Sequence, residues 1–146
     1  ILKIDGIANF KGRAKIGLGS KFMIDREANF SAGDRFGITG DTMILCNKKI
    51  SIGDNARISW QVIIMDSDYH PILDINNNII NDATEIIIGN NVWIGARCFI
   101  LKNTNIDDGC IIAANTTITK NFNGIKHSII GGNPVKILKT DIRWHN

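Results

Sequence analysis

His70 is the side chain of this sequence best suited to moving a proton. An imidazole titrates near neutrality, so a positioned histidine can take the proton of a hydroxyl. His70 stands in Ile64-Met65-Asp66-Ser67-Asp68-Tyr69-His70-Pro71. Either Asp66 or Asp68, four and two residues upstream, could accept a hydrogen bond from the second ring nitrogen and fix the tautomer. The competing reading is a surface histidine with incidental hydrogen bonds, and that is the reading given to His127 and His145. Lys120, Lys126, Lys136, Lys139 and Arg143 form a basic C-terminal group. Such a group suits a phosphorylated ligand, or it is simply a solvated charged end. Trp93 lies in Val92-Trp93-Ile94-Gly95 and, beside an inward residue, should face outward. An outward tryptophan covers something, either a neighbouring subunit or the wall of a ligand channel. Trp60 raises the same question.

The elements that position these residues come from a six-residue ladder. Ile52, Ile58 and Ile64, then Ile88, Ile94, Ile100, Ile106, Ile112 and Ile118, share one six-residue phase. Ile16 and Phe22 share it too, but Ala28, Asp34, Gly40 and Cys46 interrupt the ladder between them and Ile52. A helix repeats its buried stripe near 3.6 residues and a simple strand near two, so a strict six fits neither. It fits a coil that turns a corner every six residues and points one aliphatic side chain inward per short strand, the signature of a parallel β-helix. Two residues before each rung the side chains are small or β-branched: Ala14, Ala56, Val62, Val92, Cys98, Thr104, Cys110 and Thr116. Gly, Asn and Asp follow the rungs, as sharp turns require.

Composition agrees. Ile supplies 30 of 146 residues and Pro only two, which favours strands over helices. One domain with a real core is expected. A net charge of +3 is too weak to imply nucleic acid, and no run of 18 apolar residues predicts a membrane span. The chain starts at Ile1, so the absence of a signal peptide from it says little. Cys46, Cys98 and Cys110 fall on ladder or small-residue positions. They read as buried thiols in a reducing, cytoplasmic setting, without disulfide or zinc spacing.

The reading along the chain is a single β-helix domain over 1–146. Residues 1–51 are degenerate N-terminal coils, with strands near Lys15–Ile24 and Met43–Ile52. Residues 52–119 are regular coils interrupted by an ejected loop near 68–86. Residues 120–146 form an irregular C-terminal cap, with turns at Asn121–Lys126 and Gly131–Pro134, then a short strand or helix in Val135–Trp144. A loop of that length without repeat phase is usually functional or disordered.

These pieces resemble the hexapeptide-repeat acyltransferases, the left-handed parallel β-helix family, and most of all the branch of galactoside and maltose acetyltransferases and polysaccharide O-acetyltransferases. The matching segments are Ile52-Gly53-Asp54-Asn55, the stretch ending His70-Pro71, Ile88–Gly95, Ile112–Asn115 through Thr119-Lys120, and Gly132-Asn133-Pro134-Val135-Lys136. The resemblance implies a left-handed coil, against the usual right-handed crossover, and a homotrimer with active sites between subunits. It implies acetyl-CoA as cosubstrate, a sugar as acceptor and no metal. It makes His70 the general base, with Asp66 or Asp68 orienting it. It places Trp93, Gly95 and Ala96 along the pantetheine channel and Ala113 and Ala114 against the cofactor. Thr119, Lys120, Pro134, Lys136 and Lys139 then hold the nucleotide end. Val135 and Ala96 depart from the usual residues. Thr39 and Asn47 stand where galactoside-type members grip their sugar, which argues against a galactoside.

The expected chemistry is direct transfer to a sugar hydroxyl, in surface or capsular polysaccharide synthesis, with backbone N–H groups at Gly95 or Ala96 stabilising the oxyanion. No cysteine is placed as a nucleophile. Three alternatives stand beside it: a small acceptor such as an amino sugar, a serine or a drug; a non-catalytic β-helix scaffold; and a zinc enzyme of the carbonic-anhydrase type, which would need three converging histidines.

Overall fold

The computed structural model describes residues 1–145 and is built from strands alone, wound as a left-handed parallel β-helix of about six turns. Three sheets form the sides of a prism. The first sheet stacks β1 (Leu2–Ile4), β4 (Lys21–Ile24), β7 (Met43–Cys46), β10 (Ile63–Met65), β13 (Phe99–Leu101) and β16 (Thr117–Ile118). The second holds β2 (Ile7–Phe10), β5 (Asn29–Ala32), β8 (Lys49–Ile52), β11 (Ile86–Ile88) and β14 (Asn105–Ile106). The third holds β3 (Ala14–Ile16), β6 (Phe36–Gly40), β9 (Arg57–Trp60), β12 (Trp93–Ile94), β15 (Ile111–Ile112), β17 (Ile129–Gly131) and β18 (Lys136–Lys139). All neighbours are parallel except β17 and β18.

The ladder isoleucines are the inside of the prism. On the third sheet Ile38, Ile58, Ile94, Ile112 and Ile130 stack rung on rung and are buried. On the first, Phe22, Ile44, Ile64, Ile100 and Ile118 do the same. The small residues two places upstream are also buried, from Ala56 through Thr116, because a tight corner leaves room for one large group per side. Ala14 and Ile16 are exposed in the terminal coil. Corners recur with a left-handed residue, at Asn55, Asn91, Asn103 and Asn115 (φ 53–63°). Asn tolerates that conformation better than most residues, which explains the Asn-rich punctuation.

Stacked rungs also explain why the N-terminal repeat looked degenerate. In the later part of the chain each rung lies 18 residues from the next, as Ile94 to Ile112 and Ile112 to Ile130. Between Ile58 and Ile94 the step is 36, one coil plus the ejected loop. Between Ile38 and Ile58 it is 20, and between Ile16 and Ile38 it is 22. Extra residues at the corners break the six-residue phase without breaking the coil. Residues 1–51 are therefore full coils with eight strands, β1 to β8, rather than two strand regions. Their interior is aromatic, with Phe10, Phe22, Phe30 and Phe36 at centroid spacings of 5.5–6.4 Å. The C-terminal segment is likewise more regular than expected: β17 adds a rung and β18 folds back along it as a strand.

Candidate functional site

The loop carrying His70 leaves the prism at the corner between the first and second sheets. Asp66 roots it there. This fully buried carboxylate accepts the backbone N–H groups of Asn47 (2.7 Å), Lys48 (2.9 Å) and Lys49 (2.7 Å), pinning the corner of the preceding coil. The Thr84 N–H donates to the Asp66 carbonyl at 3.0 Å and closes the loop base. Within the loop Leu73 pairs antiparallel with Ile79, and Asp74 accepts from the backbone of Asn76 and Asn78. The excursion is an ordered hairpin. Its apolar side chains point outward: Ile72, Leu73, Ile79 and Ile80 are half or more exposed and Ile75 is 98% exposed.

Asp68 belongs to a second fastening. Lys102, one coil on, donates to Asp68 Oδ2 at 2.6 Å and to the Asn81 carbonyl at 2.9 Å. Asn81 Nδ2 donates to Asp68 Oδ2 (2.8 Å) and to the His70 carbonyl (2.9 Å). The hydrogen bond from Lys102, then that from Asn81, holds the Asp68 carboxyl below its usual range. Neither Asp66 nor Asp68 hydrogen-bonds the His70 ring; both aspartates fix the backbone on which the ring is carried. Tyr69, just before His70, adopts φ 60°, a conformation uncommon for an aromatic residue. Its N–H donates to Ser67 Oγ at 3.0 Å. Burial first, then the charge of Asp25, pushes the Tyr69 phenol up. His70 itself is exposed at the protein surface.

A second group gathers on the third sheet and at the corner that follows it. Trp93 faces outward, 41% exposed, and donates through Nε1 to Ser59 Oγ at 3.1 Å. Its cover within the chain is Trp144, whose ring lies 6.0 Å away and whose Nε1 donates to the Asn91 carbonyl at 2.7 Å. Trp60 remains 55% exposed. Gly95 is required by the close approach of the next coil: a Cβ there would lie 2.7 Å from the Ala114 nitrogen and 2.8 Å from the Ile112 carbonyl oxygen. The Gly95 N–H donates to that Ile112 carbonyl at 2.8 Å, so it is spent on stacking. Of the two N–H groups expected to meet an oxyanion, Ala96 alone has no acceptor among the described residues. Asn133 brings the C-terminal loop to this corner, donating to the Asn115 carbonyl (2.8 Å) and accepting from the Thr117 N–H (3.2 Å). Pro134, Lys136 and Lys139 follow it, exposed; Lys136 is the strand partner of Gly131, which packs against Ala113, and Lys139 that of Ile129.

The chain thus divides the expected site residues between two edges of the prism. His70, Asp68, Asp66, Thr119 and Lys120 lie at the edge between the first and second sheets; Lys120 rests over the Phe122 ring at 5.4 Å. Trp93, Gly95, Ala96, Ala113, Ala114, Pro134, Lys136 and Lys139 lie on the third sheet or its far corner. The width of the first sheet separates the two groups. The cysteines join neither: all three are buried. Burial, then the charge of Asp66, pushes the Cys46 thiol up to about 12, and burial raises Cys98 and Cys110. A thiol so raised holds no thiolate for attack. His127 packs over Gly109, far from His70 in the fold, so these two rings do not converge. No described helix could cross a membrane.

Sequence reasoning missed Lys102, Asn81 and Trp144. The only signal for Lys102 was a cation one coil beyond Asp66 at the same corner.

Residues 85–120 match the bacterial transferase hexapeptide family (six repeats). The chain is 34% identical over 91 residues to the polysialic acid O-acetyltransferase of Escherichia coli O1:K1 / APEC, covering 62% of this chain and 29% of that one. Among solved structures it superposes on the polysialic acid O-acetyltransferase OatWY with a TM-score of 0.72 at 22% identity, over 97% of this chain and 92% of the other. The maltose O-acetyltransferase from Clostridium difficile 630 superposes with a TM-score of 0.61 at 27% identity, over 97% of this chain and 70% of the other. The chain spans less than a third of the length of the first curated relatives it matches. Fold and repeat together define a left-handed β-helix protein of the hexapeptide type. Within that class the chain is similar to acetyltransferases, among them sugar O-acetyltransferases.

Proposed function

We propose that the protein is an acetyl-CoA-dependent O-acetyltransferase acting on a sugar hydroxyl, in the synthesis of a surface or capsular polysaccharide, in the cytoplasm. The observation that carries the reading is the pair of half-sites. A histidine on a doubly fastened loop stands at one edge of the prism, and a channel wall of Trp93, Gly95, Ala96, Ala113 and Ala114 stands at another. Three prisms packed side by side set one chain's loop edge against a neighbour's channel edge, which is why a homotrimer is part of the proposal. The outward apolar loop, Ile72 to Ile80, supplies surface for that packing.

In the shared groove His70 takes the proton of the sugar hydroxyl as its oxygen attacks the thioester carbonyl. The carbon–sulfur bond breaks, the acetyl group stays on the sugar oxygen, and the proton leaves with the thiol through the same imidazole. Such a base contributes about 10²–10⁴-fold. The uncommitted Ala96 N–H is the donor for the developing oxyanion. Trp93 and Trp144 wall the pantetheine arm, and Lys136 and Lys139, with Lys120 from the neighbouring edge, meet the nucleotide phosphates.

The test is thiol release from acetyl-CoA with a panel of oligosaccharides, run beside His70→Ala. Acceptor-dependent release that His70→Ala abolishes, with acetyl-CoA still bound, is the expected result. Wild-type rates in His70→Ala would remove the assignment.

A further inference from the structure

Tyr69, the residue before His70, holds a backbone conformation that its type disfavours. Among the described residues thirteen other than glycine have a positive φ, and twelve of them are Asn, Asp, Gln, Glu, Arg or His. Tyr69, at φ 60°, is the exception. A bulky ring stays in the left-handed region only where its surroundings enforce it, and such strain gathers at functional sites.

Three successive coils supply the enforcement. β4, β7 and β10 are neighbours in the first sheet, and Asp25, Asn47 and Asp66 each follow one of them at the same corner. The Tyr69 side chain turns back over that corner, and its hydroxyl donates to the Asp25 carboxylate, two coils away. Asn47 Nδ2 donates to Asp25 Oδ2 at 3.0 Å, and the Asn47 N–H donates to the buried Asp66 at 2.7 Å. The phenol is thus tied, through Asp25 and Asn47, to the carboxylate that roots the loop. The Tyr69 N–H is held as well, by the buried Ser67 Oγ at 3.0 Å.

The His70 ring has no such anchor of its own. No described residue hydrogen-bonds the imidazole; the fastening at His70 is its carbonyl, which accepts from Asn81 Nδ2 at 2.9 Å. A ring without a partner points where its Cα–Cβ bond sends it, and the backbone dihedrals on either side set that bond. Asn81 fixes the far side and Tyr69 the near side. With Tyr69 returned to an ordinary negative φ, the chain would leave the turn on another course and carry the His70 Cα–Cβ bond with it.

We propose that Tyr69 is the positioning residue for His70: its hydroxyl, tied to Asp25, holds the left-handed turn that aims the imidazole away from the prism and into the groove. The proposal rests on the O-acetyltransferase reading for what the imidazole does there, and on the geometry alone for where it points.

The experiment compares wild type with Tyr69→Phe, with Asp25→Leu, with the two combined and with Tyr69→Asn. Three quantities are read: kcat and KM in acceptor-dependent thiol release from acetyl-CoA, nuclear relaxation of ring-labelled histidines with His70 assigned from His70→Ala, and hydrogen exchange of the ladder strands. Tyr69→Phe keeps the ring and loses the hydroxyl. It should lower kcat about tenfold or more, the worth of one hydrogen bond to a charged group, while KM for acetyl-CoA stays unchanged. The His70 ring should loosen, with ladder exchange as in wild type. Asp25→Leu should do the same, and the combined variant no more than either, because both cut one link. Tyr69→Asn removes the ring and the hydroxyl but adopts a positive φ readily. It should recover much of the rate and ring order that Tyr69→Phe loses, whereas a tyrosine that served only as packing would give the reverse order. Tyr69→Asn no better than Tyr69→Phe would overturn the proposal. So would a His70 ring equally ordered in wild type and Tyr69→Phe, additive losses in the combined variant, or a KM for acetyl-CoA that rises in step with the fall in kcat. A ring that loosens in the variants of a protein that releases no thiol with any oligosaccharide would uphold the aiming by Tyr69 and remove the transferase reading instead.

Discussion

Replacing Lys102 with Met, which keeps the stem and removes the charge, tests whether the His70 loop works only while it is fastened. Lys102 is 24% exposed and bridges Asp68 at 2.6 Å and the Asn81 carbonyl at 2.9 Å. Asp68 is 42% exposed, so the ion pair is discounted to the surface value of about 0.2–1 kcal/mol. The bond to the Asn81 carbonyl adds about 0.5–1.5 kcal/mol. Their sum of about 0.7–2.5 kcal/mol is a factor of about 3–70 in the equilibrium between docked and undocked loop. Lys102→Met should therefore lower kcat/KM by about that factor, while hydrogen exchange quickens across 68–82 and not in the ladder strands. Acid should imitate the variant. Asp68 is held below its usual range in the folded chain, so its contribution is fully present above about pH 3.9 and is lost as pH falls through the lower folded value. Lys102→Met should lose that acid dependence of loop exchange. A kcat/KM within twofold of wild type, or unchanged exchange across the loop, would refute the reasoning.

Other expectations follow from the same geometry. His70→Ala should lose about 10²–10⁴-fold in kcat with acetyl-CoA affinity retained, measured by thiol release and calorimetry. Gly95→Ala puts a Cβ 2.7 Å from the Ala114 nitrogen; the two coils must part there, and the Kd for acetyl-CoA should rise before the thermal transition is lost. Ile100→Ala, at a fully buried rung between Ile64 and Ile118, should cost about 2–5 kcal/mol of stability in denaturant unfolding. Lys136→Ala should raise KM for acetyl-CoA more than for acetyl-pantetheine, which lacks the nucleotide.

The regular coils were legible because one buried residue per side recurs every six positions, and nothing interrupts it from Ile88 to Ile118. The N-terminal coils were not, because steps of 20 and 22 residues slide the rungs out of phase: Phe22 stacks on Ile44, not on a residue of its own six-phase. The ejected loop announced itself by losing the repeat, and its start near Asp68 was correct to within two residues. Its internal hairpin was hidden among asparagines whose role is to accept and donate across the turn. For the candidate site, the sequence singled out His70 but could not say what the two aspartates do. Asp66 looked like a histidine partner because it is near in sequence, yet a fully buried carboxylate beside three unpaired N–H groups is drawn to them first. Lys102 reaches Asp68 from 34 positions away, across an insertion of no fixed length. Trp144 covers Trp93 from 51 positions away, in a segment without phase.

The central claim is that catalysis needs the loop edge of one chain and the channel edge of another. The most direct measurement mixes two inactive proteins, His70→Ala and Ala114→Trp, after reversible dissociation, and assays thiol release. In random mixed trimers about one quarter of the sites would pair an intact histidine with an intact channel, so activity should return to about that fraction of wild type. If every site lay within one chain, each chain would carry one defect and the mixture would stay as inactive as its parents.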